Sequence, residues 1–236
     1  MLRYRFVRFI FTLVQRSLCR LEVVGRENIP ASGPYLVVVN HMSTADIALV
    51  FIGFPVLPWR FFAGEKWADH WLWGRLMAWL GVIFINRGEV DRRALREALA
   101  ALRDGAIFGL APEGTRSKVG AMQPGKDGAA FLAAQSRVPI LPVGISNSDV
   151  LFASARRFRR ARITLRIGEP FSLPELDHRA RGRDLSAFTC LIMTHIAALV
   201  EPRHRGVYGD SPALAALLAG EDVWPGCVTA GERLTL

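Results

Sequence analysis

Short apolar runs alternate with helical patterns through the middle of this chain, and this alternation limits the folds that the sequence can adopt. The apolar runs that we interpret as buried strands cover residues 35–39, 105–111 and 139–145. The intervening segments with helical patterns cover residues 47–52, 89–104 and 125–136. Strands that alternate with helices are typical of an α/β domain with a largely parallel sheet. We therefore predict a largely parallel mixed sheet flanked by helices, with residues 21–236 forming one domain.

The composition narrows the class of partner. The chain has 236 residues and a formal net charge of +9, which favours an anionic partner such as nucleic acid, a membrane surface or a phosphorylated substrate. It contains no run of about 18 uncharged apolar residues, so we expect no membrane-spanning helix. Its three cysteines are scattered, which predicts neither a disulfide framework nor a zinc site and fits a reducing compartment.

Two segments carry patterns that are compatible with lipid. Residues 1–20 form an amphipathic helical pattern with arginines on one side and bulky apolar residues on the other. We predict a membrane-associating helix there, although a helix packed on its own core would show the same stripe. Residues 67–80 read as one helix that carries four of the six tryptophans. That helix could line an acyl-chain groove or a membrane-facing wall, or simply pack in the core.

The segment from Asn40 to Asp46 follows the first predicted strand directly. His41 then lies at the carboxyl end of a strand, where open α/β sheets bind their ligands. Asp46 falls in the first turn of the next helix, for which Ser43 or Thr44 is a suitable cap. A carboxylate that orients an imidazole makes a general base. Taken alone, the same pair could merely cap a helix.

Two further loops contain charged residues at the ends of predicted strands. Arg87 follows one strand, and Glu113, Gly114 and Arg116 follow another. Loops at the carboxyl ends of parallel strands open on one side of a sheet, so we expect these residues to lie near His41. Two arginines and a glycine turn suit a phosphate group, because guanidinium binds phosphate oxygens bidentately. The predicted chemistry is deprotonation of a hydroxyl on a phosphorylated molecule.

A basic cluster between residues 156 and 162 contains five arginines. It has three interpretations: a solvated surface, a contact with anionic lipid, or a docking surface for an acidic acyl carrier protein. Residues 162–167 alternate between apolar and polar side chains, which predicts a half-exposed strand at a sheet edge.

Four motifs in order resemble those of the glycerolipid acyltransferases of the lysophosphatidate acyltransferase type. The histidine and aspartate of residues 40–46 resemble the first motif, and the strand that ends in Arg87 resembles the second. Residues 112–117, Pro-Glu-Gly-Thr-Arg-Ser, resemble the third, and residues 138–143 the fourth. Residues 205–208, Arg-Gly-Val-Tyr, resemble a closing element that is common in the family.

The resemblance implies a glycerol-3-phosphate acyltransferase-like fold and transfer of a fatty acyl group to a lysophospholipid hydroxyl, most simply 1-acylglycerol-3-phosphate, giving phosphatidate. The donor would be a thioester of coenzyme A or acyl carrier protein, with no metal, no other cofactor and no acyl-enzyme. His41 would be the general base and Asp46 would hold it. The implied substrate-binding residues are Arg87, Glu113, Gly114, Thr115 and Arg116.

Several alternatives stay open on the sequence alone. The acceptor could be another lysolipid, an aminolipid or a glycolipid, and the protein could be a catalytically silent membrane-binding scaffold. A nucleic-acid-binding module is disfavoured, because the tryptophans cluster with leucines while the arginines lie elsewhere. The short amphipathic helix predicts peripheral attachment to the cytoplasmic face of a membrane.

Overall fold

A computed structural model of the protein describes residues 2–55, 59–86 and 91–233. The strands in this part of the chain are β1 Cys19–Val24, β2 Tyr35–Val39, β3 Trp59–Gly64, β4 Ile83–Ile85, β5 Ile107–Leu110, β6 Ile140–Ser146 and β7 Ala161–Ile167. The α-helices are α1 Leu2–Leu18, α2 Asp46–Gly53, α3 Trp73–Trp79, α4 Arg92–Arg103, α5 Gly128–Ser136, α6 Leu151–Arg156, α7 Gly182–Leu199, α8 Pro212–Ala219 and α9 Trp224–Arg233.

The described strands form one sheet in the order β1-β7-β6-β2-β5-β3-β4. Every neighbouring pair is parallel except β6 and β7, so the predicted largely parallel sheet is confirmed. The carboxyl ends of β2, β5, β3 and β4 therefore meet at one edge, which we call the site edge. The chain segments that follow these strands carry the predicted site residues.

Two apolar layers cover the two faces of the sheet. One face buries Leu36, Phe108 and Ile140 against α4, α5 and α7. The other face buries Val37, Leu141 and their neighbours, together with Leu49 and Val50 of α2. Alternate residues of each strand thus serve opposite layers, which is why the central strands read as continuous apolar runs.

Helix α1 packs on the protein along one side and leaves a second apolar stripe exposed, so its role as a membrane-associating helix stays a prediction. Tyr4 and Val7 are buried in a cluster with Leu80, and the Tyr4 hydroxyl donates to the Leu80 carbonyl. A second stripe remains exposed, formed by Leu2, Phe6, Phe9, Ile10, Leu13 and Val14. No helix in the described residues is long and apolar enough to span a membrane.

Three predictions made from the sequence are wrong. The tryptophan-rich segment is a 3-10 turn at Glu65–Trp67 followed by the separate short helix α3, because His70 accepts backbone N–H groups of Leu72 and Trp73 and starts a new helical turn. Strand β7 is not the predicted edge strand, because β1 pairs with it on its outer side. Its alternation between apolar and polar side chains reflects one buried face and one face that is partly exposed to solvent. The prediction from the scattered cysteines is wrong as well, because helix α9 packs on α7 and Cys190 forms a disulfide with Cys227.

Candidate active site

The site begins with Asn40, which fixes the chain at the end of β2. Its buried side-chain amide donates to the Ile145 carbonyl and accepts from the Ile145 N–H, at 2.9 and 2.8 Å. This pair of bonds continues the ladder between β2 and β6 by one residue. The next residue, His41, is thereby held at the site edge, where the sequence placed it.

The imidazole of His41 is oriented by Asp46, as predicted. Nδ1 of His41 lies 2.9 Å from Oδ2 of Asp46, and the same oxygen accepts the N–H groups of Met42 and Ser43 at 2.7 Å each. The Asp46 side chain is 1% exposed and that of His41 16% exposed. A carboxylate that accepts from Nδ1–H fixes the tautomer in which Nε2 is free to accept a proton.

The loop between His41 and α2 differs from the prediction in one respect. Ala45 is the N-cap residue of α2, without a side-chain cap bond, so the prediction of a Ser43 or Thr44 cap is wrong. The Asp46 carboxylate instead reaches back to the loop N–H groups from inside the first helical turn. One side chain thus organises both the loop and the imidazole.

Glu113 joins the loop after β5 to the His41 loop. Its Oε1 accepts the His41 N–H and its Oε2 accepts the Gln123 N–H, both at 2.9 Å. The side chain is 1% exposed, and burial raises the pKa of its carboxyl. The Ser117 N–H also donates to the His41 carbonyl at 2.8 Å. Glu113 therefore shapes the site through the backbone; a direct contact with substrate stays a prediction.

The other predicted substrate-binding residues fall into three groups. Gly114 has φ +67° and lines the cleft, where a Cβ would meet the Lys126 side chain. Thr115 and Arg116 are exposed and lie between Glu113 and Ser117, both of which bond to the His41 backbone. Arg87 lies outside the described residues.

Lys126 lines the same cleft and was not identified from the sequence. Its backbone N–H donates to the Pro112 carbonyl at 2.8 Å, and its side chain passes over Gly114. The sequence contained a signal for it, since Lys126 lies in a Gly-Lys pair just before a helix.

A cleft of about 830 Å³ opens beside His41 and Asp46. One wall comes from α2 and β3 and includes Val50, Phe51 and Phe61. The other wall comes from β4, α4 and α5 and includes Ile85, Leu95, Leu99 and Phe131. A cleft that is mostly apolar, with a few convergent polar groups at one end, is typical of a site for an extended apolar ligand.

The arrangement can perform proton transfer beside an apolar ligand. Nε2 of His41 makes no hydrogen bond to any residue that the structure describes, so it is available to a hydroxyl group. The described residues contain no group of three or more His, Cys, Asp and Glu side chains that could hold a metal ion. These features define an α/β protein with a hydrogen-bonded histidine–carboxylate pair at the mouth of an apolar cleft.

Comparisons with known proteins identify the family. The family model described as Acyltransferase matches residues 20–146, which include His41, Asp46 and the Glu113 loop, and the chain belongs to this family. The chain is 35% identical over 183 residues to the 1-acyl-sn-glycerol-3-phosphate acyltransferase alpha of Bos taurus, covering 72% of this chain and 63% of that protein. It is 34% identical over 168 residues to the 1-acyl-sn-glycerol-3-phosphate acyltransferase of Saccharomyces cerevisiae, covering 66% of this chain and 53% of that protein.

The fold has a solved counterpart. The crystal structure of the 1-acyl-sn-glycerophosphate acyltransferase of Thermotoga maritima superposes with a TM-score of 0.64 at 27% identity, covering 80% of this chain and 78% of the other. This similarity confirms the predicted acyltransferase-like α/β fold. The chain spans less than two thirds of the length of the bovine and yeast relatives.

Proposed function

We propose that the protein transfers a fatty acyl group from a thioester of coenzyme A or acyl carrier protein to the free hydroxyl of 1-acylglycerol-3-phosphate, forming phosphatidate. The observation that carries this proposal is the His41–Asp46 pair at the mouth of the apolar cleft. The names of the relatives support the acceptor, since both are 1-acyl-sn-glycerol-3-phosphate acyltransferases.

The proposed reaction needs one base that later acts as an acid. Nε2 of His41 takes the proton of the acceptor hydroxyl while the hydroxyl oxygen attacks the thioester carbonyl carbon. When the tetrahedral intermediate collapses, the C–S bond breaks and the thiolate takes the proton from Nε2. Asp46, through its bond to Nδ1, stabilises the imidazolium that exists between these steps. A positioned base contributes about 10²–10⁴-fold to such a rate.

The charges around the site suit the acceptor's phosphate. Arg116 and Lys126 are both exposed. Arg116 lies in the loop that is bonded to the His41 loop, and the Lys126 side chain passes over Gly114. We propose that these cations, together with Arg87, bind the phosphate, while the apolar cleft binds an acyl chain of the substrates. Holding both substrates in one site converts a bimolecular step into an effectively unimolecular one.

We propose peripheral attachment to the cytoplasmic face of a membrane through α1. Its exposed stripe of Phe6, Phe9, Ile10 and Leu13 places bulky apolar side chains in contact with solvent. Trp71, Leu72 and Trp79 are also exposed, and Trp79 is adjacent in sequence to Leu80, which α1 contacts. Neighbouring exposed apolar side chains of this size are typical of lipid-binding surfaces.

The test is a coupled assay with acyl-CoA and 1-acylglycerol-3-phosphate that follows thiol release and product mass together. We expect His41→Ala to lower kcat by about 10²–10⁴-fold, because the positioned base is lost. His178→Ala is the matched control, since the side chain of His178 is exposed and is not among the residues that line the cleft. Equal turnover by His41→Ala and the wild type would overturn the assignment of the base, and no turnover with any lysolipid and either donor would overturn the function.

A further inference from the structure

The turn between α6 and β7 exposes an unusual set of side chains. Phe158 is 101% exposed and has φ +54°, a left-handed conformation that bulky residues rarely adopt. It is flanked on both sides by exposed arginines, Arg156, Arg157, Arg159 and Arg160. We call residues 156–160 the basic turn. Its phenyl ring gains nothing from burial in the fold, while the backbone beneath it is strained.

The sheet register places the basic turn at the site edge. Strand β6 runs parallel to β2, so its carboxyl end lies at the same edge as His41. Strand β7 runs antiparallel to β6, with Ser146 opposite Thr164. The amino end of β7, which directly follows the basic turn, therefore lies at the edge where the proposed reaction occurs.

The basic turn also adjoins the exposed stripe of α1. Cys19, the first residue after α1, pairs with Ala161, the first residue after the turn. The Arg160 guanidinium donates to the Cys19 carbonyl at 3.1 Å, which ties the two segments together. The last turns of α1 carry the exposed side chains of Leu13 and Val14. One surface thus combines apolar side chains of α1 with the cations and phenyl ring of the turn.

We propose that the basic turn is a second membrane contact, in which Phe158 inserts below the headgroups of an anionic bilayer while the flanking arginines bind lipid phosphates. Charge complementarity and continuity with α1 carry the argument. An anionic bilayer offers both negative charge and hydrocarbon, and it matches both components of the surface. An acidic carrier protein would satisfy the arginines but would leave the phenyl ring and the α1 stripe without an apolar partner. The contact would bring the site edge, with His41, against the bilayer that dissolves the substrates.

The test measures binding of the full chain to vesicles of phosphatidylcholine, with and without phosphatidylglycerol, in the absence of substrate. We expect the wild type to bind the anionic vesicles more tightly. Phe158→Ser should weaken that binding by roughly 10-fold, because an inserted phenyl ring is lost. Arg157→Glu should weaken it by roughly 10-fold or more, because one favourable charge is replaced by an unfavourable one. Phe158→Leu keeps an apolar side chain and should retain most of the binding.

Two control substitutions make the same kinds of change at positions outside the basic turn. Leu218→Ser removes an exposed apolar side chain from α8, and Arg103→Glu reverses an exposed charge at the end of α4, which precedes β5 and so lies at the opposite edge of the sheet. Both should bind like the wild type. A thiol-reactive, polarity-sensitive dye on Phe158→Cys should report transfer to an apolar environment when anionic vesicles are added.

Three results would overturn the proposal. The first is equal vesicle binding by the wild type, Phe158→Ser and Arg157→Glu. The second is an equal loss of binding in Arg157→Glu and Arg103→Glu, which would show net charge alone. The third is an Arg157→Glu variant that binds vesicles like the wild type but no longer binds an acyl carrier protein. That result would assign the turn to the carrier protein. Because no substrate is present, none of these results depends on the proposed acyl transfer.

Discussion

At the scale of single residues, Asp46 holds the site together. Its Oδ2 accepts hydrogen bonds from the His41 imidazole and from two backbone N–H groups, and the carboxylate is almost fully buried. A buried carboxylate is costly unless it accepts hydrogen bonds. The two backbone N–H groups therefore offset the free energy lost when the Asp46 carboxylate leaves water to orient His41. The same atom thus serves folding and the proposed catalysis.

We expect Asp46→Asn to lower kcat by about 10²–10⁴-fold, because the amide no longer fixes the tautomer that leaves Nε2 free. The KM values should change little, since Asp46 makes no hydrogen bond or ion pair to Arg116 or Lys126. The free energy of unfolding should fall by about 1–3 kcal/mol, because the amide N–H₂ faces backbone donors. Steady-state kinetics and denaturant titration check both effects, and a variant with unchanged kcat would show that the carboxylate does not orient the base.

The residues that could be predicted from the sequence are those whose neighbours are local. His41 and Asp46 are five positions apart on a strand–loop–helix corner, so their pairing followed from the predicted elements alone. Glu113 was identified, but its bonds to the His41 and Gln123 N–H groups depend on two loops that meet only in the folded chain. Lys126 was missed for the same reason, since it reaches Gly114 from a different loop.

At the scale of elements, helix α4 sets one wall of the cleft. Ala94, Ala98 and Leu102 face the core, and the neighbouring stripe of Leu95 and Leu99 lines the cleft. Small residues on the core-facing stripe let the helix approach the sheet closely, which brings the leucines within reach of an apolar ligand. The helix therefore controls how much apolar volume the cleft provides.

We expect Leu99→Phe to shift the preferred acyl donor towards shorter chains, because the larger side chain fills part of the cleft. The kcat/KM for the longest accepted acyl-CoA should fall by roughly 10-fold or more, as expected when a few methylene groups lose their site. The kcat/KM for a short acyl-CoA should stay close to the wild-type value. A series of acyl-CoA lengths measures the shift, with Leu218→Phe at an exposed position of α8 as the control. A uniform change at all lengths would remove Leu99 from the acyl-binding wall.

Helix α7 provides a prediction about pH. His195 lies in this mostly buried helix, its ring stacks on Phe171 at 4.0 Å between centroids, and burial lowers the pKa of the imidazole. The unfolded chain therefore binds the proton more readily than the folded protein. The contribution to stability is present above the ordinary histidine pKa of about 6.5 and is lost as the pH falls below it.

We therefore expect the free energy of unfolding to fall between about pH 7 and about pH 5.5, and to fall less in His195→Phe, which keeps a ring but does not titrate. Denaturant titrations at both pH values measure the difference. His70→Gln is the control, since His70 is exposed. An identical pH dependence in the wild type and His195→Phe would assign the effect to other groups.

The boundaries of helices and strands were predicted well where apolar residues recur at a regular spacing. They were predicted poorly where contacts between residues distant in sequence determine the structure. The sheet strands and α4 follow from their own residues, as their buried and exposed positions show. Helix α9 could not be predicted, because Val223 and Cys227 are buried only by packing on Leu191 and Ala213 of preceding helices. The interruption before α3 depends on the His70 side chain, whose bonds to backbone N–H groups no periodicity reveals.

On the largest scale, residues 202–208, far along the chain, support the loops around His41. The Met122 N–H donates to the His204 carbonyl, and the Val207 N–H donates to the Met122 carbonyl. The next residue, Gln123, donates to Glu113, which in turn accepts from His41. These hydrogen bonds, together with the chain between Met122 and Gln123, join the 202–208 segment to the backbone of His41 across more than 160 positions of sequence.

Tyr208 is the member of this segment whose removal best tests that connection. Its hydroxyl accepts the Gly125 N–H at 2.9 Å, next to Lys126, and burial raises the pKa of the phenol. We expect Tyr208→Phe to lower the free energy of unfolding by about 1–3 kcal/mol, because the Gly125 donor loses its partner in a partly buried place. The KM for the lysophosphatidate should rise while kcat changes much less, since the loop that carries Lys126 loosens but the His41–Asp46 bond does not depend on Gly125. A raised KM for the acyl donor alone would instead place this loop on the donor side of the site, and unchanged kinetics together with lowered stability would restrict Tyr208 to a structural role.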